Sequence, residues 1–244
     1  MRLEGRHALV TGGGTGIGAA IARALAAEGA RVTLVGRRRD VLEDTATQLR
    51  SVRAQSRTGS KDGVIVAAAD ITDQEQVEAA FSQAREAQGP LTILVNNAGA
   101  AESAPFAKVT ADLWRRTIAI NLDALLLCCQ AALPDLLAAE HGRIVTVAST
   151  AGVKGYARSA PFAMGKFGLR GLAQSMAREL HPHGLHIGHV VIDGGIRSAR
   201  RPDPEGHDST LDPDSIAQSY LHLIRQPRDS WSWEIEVRPW VETF

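Results

Sequence analysis

Six short apolar runs recur along the chain, at 7–12 (HALVTG), 31–36 (RVTLVG), 64–70 (VIVAAAD), 91–96 (LTILVN), 143–149 (RIVTVAS) and 185–192 (LHIGHVVI). Runs this short and this uniformly apolar suit strands buried on both faces of a parallel sheet. Between them apolar residues return at helical spacing, as in Val77, Ala80, Phe81 and Ala84, a helix whose start reads as a capping box from Thr72 to Glu75. The order is β then α, repeated, and right-handed crossovers turn that order into a doubly wound α/β sheet with helices on both faces. Segment 53–63 is polar and turn-rich and reads as a surface connection. No internal repeat is visible. At 244 residues and 44% hydrophobic content the chain is expected to form one domain, 1–244.

After Ile192 the pattern changes. Residues 193–210 are rich in Gly, Pro and charge and follow a strand's carboxyl end, where open α/β sheets bind ligands, so 193–212 is expected to be a mobile substrate loop or lid. Asp212 reads as an N-cap with Pro213 at the first helical position, and Trp231, Trp233, Ile235 and Val237 alternate with Ser232, Glu234 and Glu236. These predict a last helix and a Trp-bearing seventh strand.

Charge changes the picture by exclusion. Lys plus Arg and Asp plus Glu number 27 each, so no summed positive field exists to collect nucleic acid or an anionic membrane. The start lacks the apolar core of a signal peptide and no 18 or so apolar residues run together, which predicts a cytoplasmic protein with no membrane partner. Cys128 and Cys129, adjacent in a helical pattern, suit neither a disulfide nor a metal and read as packing residues. His181, His183, His186 and His189 read as exposed turn and strand residues, and no metal site is expected.

The stretch VTGGGTGIG follows the first strand and opens a helix, with Gly12, Gly16 and Gly18 where the backbone must turn tightly, approach a pyrophosphate and let helix pack on strand. The Thr-Gly-x-x-x-Gly-x-Gly pattern of Thr11, Gly12, Gly16 and Gly18, followed by NNAG at Asn96 to Gly99, resembles the short-chain dehydrogenase/reductase family, and the likeness extends over about residues 5–195. The resemblance implies a single-domain Rossmann-like doubly wound parallel sheet of about seven strands. It implies that Gly12, Thr15, Gly16, Ile17 and Gly18, with Asn97, Ala98 and Gly99, hold a nicotinamide dinucleotide. It also implies that Asp70 contacts the adenine amine and that Ile71 lines its pocket. Where the second strand ends, an acid would hold the ribose diol of NAD, whereas arginine accommodates the 2′-phosphate of NADP. Here Arg37, 19 residues after Gly18, and Arg38 stand at that place. NADP(H) is therefore preferred. NAD(H) is the alternative, because Thr15 is not basic and the arginine run also reads as a solvated helix start.

In the family a Tyr moves the carbonyl proton, a Lys lowers its pKa and holds the nicotinamide ribose, a Ser orients the substrate oxygen and an Asn anchors a water chain. Matched by motif, these roles fall on Phe162, Lys166, Ser149 and Asn121. The Tyr has become Phe. The register holds because the Tyr usually lies thirteen after the Ser, and 149 plus 13 is 162. Tyr156, ten before Lys166, is off the lysine's helical face, and Ser159 occupies the place seven before it that some relatives use. Asp193, Gly194 and Gly195 stand where the family has Pro-Gly, with Ser198 as a substitute for the Thr that follows.

Together these imply an oxidoreductase with an atypical site, acting on a small carbonyl, hydroxyl or conjugated C=C substrate. The alternative is a cofactor-binding but silent subunit that partners an active relative. The resemblance further implies a homodimer or homotetramer built on helices near 110–139 and 161–181, the second through a stripe of Leu169, Leu172, Ala173 and Met176.

Overall fold

The computed structural model describes residues 3–55, 62–203 and 208–242. Seven parallel strands lie in the order β3-β2-β1-β4-β5-β6-β7: β1 His7–Thr11, β2 Arg31–Gly36, β3 Val64–Ala68, β4 Ile93–Asn96, β5 Arg143–Val147, β6 His186–Ile192 and β7 Glu234–Val237. The first six match the six apolar runs, and β1, β4, β5 and β6 are buried throughout, which is why their sequences do not alternate. Between β1 and β4 the strand order reverses, so the carboxyl ends of these neighbours diverge into a crevice.

Helices α1 Gly16–Ala27, α2 Arg39–Gln55 and α7 Pro213–Arg225 cover one face, and α3 Gln74–Gln88, α5 Ala124–Ala138 and α6 Ala160–Leu180 the other. On the second face α4 Ala111–Ile118 runs into α5 through a π turn at Ala119–Asp123. The continuous helix 111–138 is long and apolar enough to cross a membrane by length and composition. Here its inner face, Leu125, Cys128, Cys129, Ala132 and Leu136, is core packed against the sheet.

Several sequence expectations change. The α3 cap is shifted by one residue: Asp73 accepts from the Gln76 amide at 3.1 Å, while Thr72 donates instead to Asp70. Asp73 wins because its carboxylate reaches the third amide ahead of it. Arg53, assigned to a surface connection, is a buried residue of α2 that donates to the carbonyls of Gly29, Ala30 and Asp62; the rest of that connection, 56–61, lies outside the described residues. The seventh strand starts only at Glu234, and Trp231 and Trp233 precede it, folded back over β6.

Two of the histidines read as exposed are buried: His186 stacks on Trp231 at 4.7 Å and His189 on Trp233 at 6.3 Å, because β6 is interior along its whole length. The α6 stripe faces its own core, with Leu169 and Ala173 fully buried, since those positions point at the sheet. The apolar residues that face outward on α4 to α6 are Trp114, Leu126, Leu137, Met164 and Phe167.

Three buried histidines set an acid limit. His7 is held between Gly89 O and Thr33 Oγ1, both at 2.8 Å, His186 by Ser232 O at 2.8 Å and His189 by Thr146 Oγ1 at 2.7 Å. Burial pushes each from 6.5 down to about 4. A folded value below the unfolded one means that the unfolded chain takes up protons first as pH falls. Stability is therefore complete above about pH 6.5 and drains between 6.5 and 4, by up to about 1.4 kcal/mol per pH unit for each histidine. The urea midpoint is expected to be level from pH 8 to 7 and to drop steeply from 6.5 to 5. A level midpoint down to pH 5 would refute this assignment.

Candidate active site

A cleft of about 420 Å³ opens over the carboxyl ends of β1 and β4. Its floor is the glycine loop between β1 and α1, where Gly12 and Gly16 take φ of +64° and +55°. A methyl on Gly12 would meet Asn97 Nδ2 at 2.8 Å, and one on Gly18 would lie 2.3 Å from Gly12 O. Gly18 therefore acts by close packing and does not line the cleft. Asn97 ties β4 to this loop, donating from Nδ2 to Thr11 O at 3.0 Å and Gly12 O at 3.2 Å, while the amides of Asn97 and Ala98 donate to Thr11 Oγ1.

Thr15 and Ile17 also border the cleft, and Thr15, the N-cap of α1, makes no side-chain capping bond. With no acid in the first turn, the amide end of α1 is open to an anion. Arg37 and Arg38 form one wall, both exposed and paired with no acid among the described residues, and Asp70 and Ile71 form another. A cradle that a Cβ would fill, an uncapped helix N-terminus and two free guanidinium groups fit a nicotinamide dinucleotide.

Beyond Ala98 and Gly99 a second cavity of about 240 Å³ shares Ile17, Asn97, Gly99, Ala100 and Ile196 with the first. Asn121, Ser149, Phe162 and Lys166 all line it, so the four positions matched by motif come together. The π turn carries Asn121 inward, where its Nδ2 donates to Ala100 O at 2.7 Å and Thr117 O at 2.9 Å. Its Oδ1 is buried with no partner among the described residues. Ser149 precedes a 3₁₀ turn, Thr150–Gly152, and its Oγ accepts from Ala151 N at 3.2 Å, which leaves the hydroxyl proton to donate.

Lys166 is buried, donates to Val147 O at 3.1 Å and lies 5.8 Å from the centre of the Phe162 ring, one turn earlier on α6. Burial pushes its ammonium from 10.5 down to about 8. The chain has 2 tyrosines. Tyr156 is exposed beneath Lys154, and Tyr220 is buried in the α7 core on the opposite face. Neither lines the cavity.

Asp193 is buried at the end of β6. Its Oδ1 accepts from Thr150 Oγ1 at 2.5 Å, and its Oδ2 lies 3.4 Å from Arg238. Gly194, a wall of the second cavity, has φ +146° and backs onto Pro239, whose Cδ a methyl would meet at 2.7 Å. The acid thus pins the Ser149 turn and the cavity wall to the segment after β7. Ser198 lines neither cavity; it pairs with Arg201 through the backbone, so it does not take the place of the Thr.

The loop reading is altered as well. Arg197 bridges Asp203, Asp208 and Asp212, and Ile196 pairs with Leu211, so the described part of 193–212 is knitted to α7's start; 204–207 lie outside the described residues. Sequence reasoning missed Gly14, at a variable position of the glycine motif, and Val41, Ile120 and Ile196, which line the cleft outside the quoted motifs.

The family model for short chain dehydrogenases matches residues 6–202. An uncharacterized oxidoreductase of Staphylococcus aureus (strain N315) is 32% identical over 240 residues, 97% of this chain and 98% of that one. A metagenomic short-chain oxidoreductase solved in complex with NADP is 32% identical, with TM-score 0.83 over 98% of this chain and 99% of that one. An alcohol dehydrogenase from the archaeon Thermococcus sibiricus shares the fold at TM-score 0.86 and 24% identity, over 98% of each chain.

Replacing Asp193 by alanine would remove a charged acceptor from Thr150, which keeps Ile192 O, and from Arg238, which keeps Glu236, and is expected to cost about 1–3 kcal/mol. That corresponds to a fall in Tm of roughly 2–4 °C per kcal/mol for a domain of this size, read by calorimetry. An unchanged Tm would show that the acid is not a structural clamp.

Proposed function

Since this chain belongs to the short-chain dehydrogenase family, we propose that it is an NADP(H)-dependent oxidoreductase of the cytoplasm that reduces a small carbonyl or conjugated C=C substrate without a tyrosine acid. The observation that carries the reading is the convergence of Ser149, Asn121 and Lys166 on one cavity that opens from the dinucleotide cleft. When bound, the nicotinamide would supply a hydride to the substrate.

The chain's residues do the rest. Gly12, Gly16 and the first turn of α1 receive the pyrophosphate, with Arg37 and Arg38 beside the 2′-phosphate, and Asp70 and Ile71 border the adenine end. Lys166 faces the nicotinamide ribose. Ser149 donates to the substrate oxygen, and Asn121 holds the π turn against Ala100. Phe162 fills the tyrosine's volume and offers no proton.

A silent subunit beside an active relative would need no more than cofactor binding. The reductase is favoured, because a buried lysine, a free serine hydroxyl and an unpartnered asparagine oxygen border a cavity and are not packed into core. The outward apolar residues Trp114, Leu126, Leu137, Met164 and Phe167 suit burial against a second copy, so a homodimer or homotetramer is part of the proposal. Sedimentation at micromolar concentration is expected to show dimer or larger, and monomer alone would contradict it.

Two substitutions test the chemistry. Arg37→Ala should shrink the preference for NADPH over NADH by roughly 5- to 150-fold, the loss of about 1–3 kcal/mol from a charged partner. An unchanged preference would make the arginine run solvated surface. Phe162→Tyr adds one oxygen in a site that keeps its lysine, serine and asparagine, and should raise reduction of a 1,2-diketone by about ten-fold or more. A tyrosine variant that binds NADPH and gains nothing would favour the silent subunit.

A further inference from the structure

We propose that Lys166 is itself the acid of this site, its ammonium delivering to the substrate oxygen the proton that a tyrosine would otherwise supply. The proposal rests on the reductase reading above. Among the described residues that line the inner cavity, Lys166 is the one with a titratable proton; the others are apolar, glycine, serine or asparagine. Phe162 cannot give a proton, and both tyrosines lie elsewhere. A serine hydroxyl is far too weak an acid to end a reduction at neutral pH, although Ser149 can pass a proton on.

The geometry leaves the ammonium free to act. Of its three N–H groups, one is held by Val147 O. A methyl built on Gly99 would sit 3.5 Å from Lys166 Nζ and 2.9 Å from Asn121 Oδ1, so both atoms face the same point beside Gly99. That asparagine oxygen is fully buried and lacks a partner among the described residues, an acceptor suited to orienting a donor at this point.

No carboxylate pairs with Lys166 among the described residues. His189 faces α6 from β6 and is held neutral by burial, Asp193 at the end of β6 is engaged by Thr150 and Arg238, and Arg170, one turn along α6, is bound by Glu234. The 3₁₀ turn Thr150–Gly152 carries no charge, and Lys154 beyond it turns to Tyr156. In the π turn Asp123 is exposed. With burial as the cause, the ammonium value falls to about 8, where it is charged at neutral pH yet gives up its proton readily.

The balance is one hydride and one proton per carbonyl. As the carbon is reduced by the dihydronicotinamide's hydride, the carbonyl electron pair moves onto oxygen, the Lys166 N–H bond breaks and an O–H bond forms. Lys166 is left as a neutral amine and regains its proton from solvent through the open cavity.

The chain's four lysines, Lys61, Lys108, Lys154 and Lys166, allow a direct test. In protein carrying ¹³C-lysine, the resonance identified by its loss in Lys166→Met should titrate near pH 8. At saturating NADPH, reduction of 2,3-butanedione should be level below about pH 8 and fall ten-fold per unit above it. Lys166→Arg keeps the positive charge and the donors but cannot release a proton, so NADPH quenching should stay within a few-fold while diketone reduction drops about 100-fold or more.

Any of three results would overturn the assignment: an arginine variant as fast as wild type, a rate level from pH 6 to 9.5, or NADPH binding with no diketone reduction by wild type. Failure of the lysine alone leaves NADPH binding intact. Absence of NADPH binding would instead bring down the reductase reading itself.

Discussion

The contact on which the rest depends is the approach of α1 to the end of β1. Gly18 leaves room for the Gly12 carbonyl where any side chain would collide at 2.3 Å, and Asn97 from β4 closes the arrangement with two bonds to Thr11 and Gly12. With the helix drawn down in this way, its first-turn amides face the crevice where the strand order reverses, and both cavities begin there. The same asparagine joins the cleft to the inner cavity, because Asn97 and, two residues on, Gly99 line both. A shift of α1 would therefore move both ends of the cleft together.

Two buried cations show how differently this fold treats charge. Arg143, at the start of β5, is almost fully enclosed and gives its protons to Gly142 O, Ile224 O and Gln226 O, with Trp231 stacked 5.2 Å away. Its guanidinium stays protonated even though burial lowers it to about 10, and two of these carbonyls, those of Ile224 and Gln226, fasten the end of α7 to the sheet. Lys166 at the opposite end of the sheet has one carbonyl and an aromatic face. Burial lowers its pKa, and the residue borders a cavity. The first cation is architecture. The second borders a cavity, and its displacement from 10.5 to about 8 corresponds to about 3 kcal/mol of desolvation carried by the folded state.

Much of this was legible in the sequence, for reasons that lie in particular residues. The six apolar runs marked strands because a parallel strand buried on both faces has no polar side to blur its pattern. The glycine loop, the NNAG stretch and the serine, asparagine and lysine positions came together because motif spacing encodes which strand ends they occupy. What escaped depended on contacts distant in the chain. His186 and His189 look polar until Trp231 and Trp233, some 45 residues on, fold over them. Of the α6 stripe Leu169, Leu172, Ala173 and Met176, Leu169 and Ala173 turn into the core while the other two stay half-buried, because helical periodicity shows that one face is apolar and not what it touches. Ile120 and Ile196 border the cleft through backbone placement alone, and Asp193 looked like a lost proline until Thr150 and Arg238 were seen to converge on it.

The exchange of tyrosine for phenylalanine at 162 is more informative against that background than as an isolated substitution. A phenol beside Lys166 would share the burden of the buried charge by ionising; a phenyl ring leaves the ammonium with only the weak attraction of its face. Without the phenol oxygen no neighbour at this position can ionise beside Lys166, and burial lowers the ammonium value with nothing from residue 162 to offset it. Asp193 belongs to the same rearrangement. Its bonds to Thr150 and Arg238 hold the Ser149 turn to the segment after β7, so the turn that carries Ser149 is anchored by the residue that departs from the family's proline. Phe162 lines the inner cavity and Asp193 braces, from behind, the turn and the Gly194 wall beside it, so both departures bear on the surroundings of Lys166.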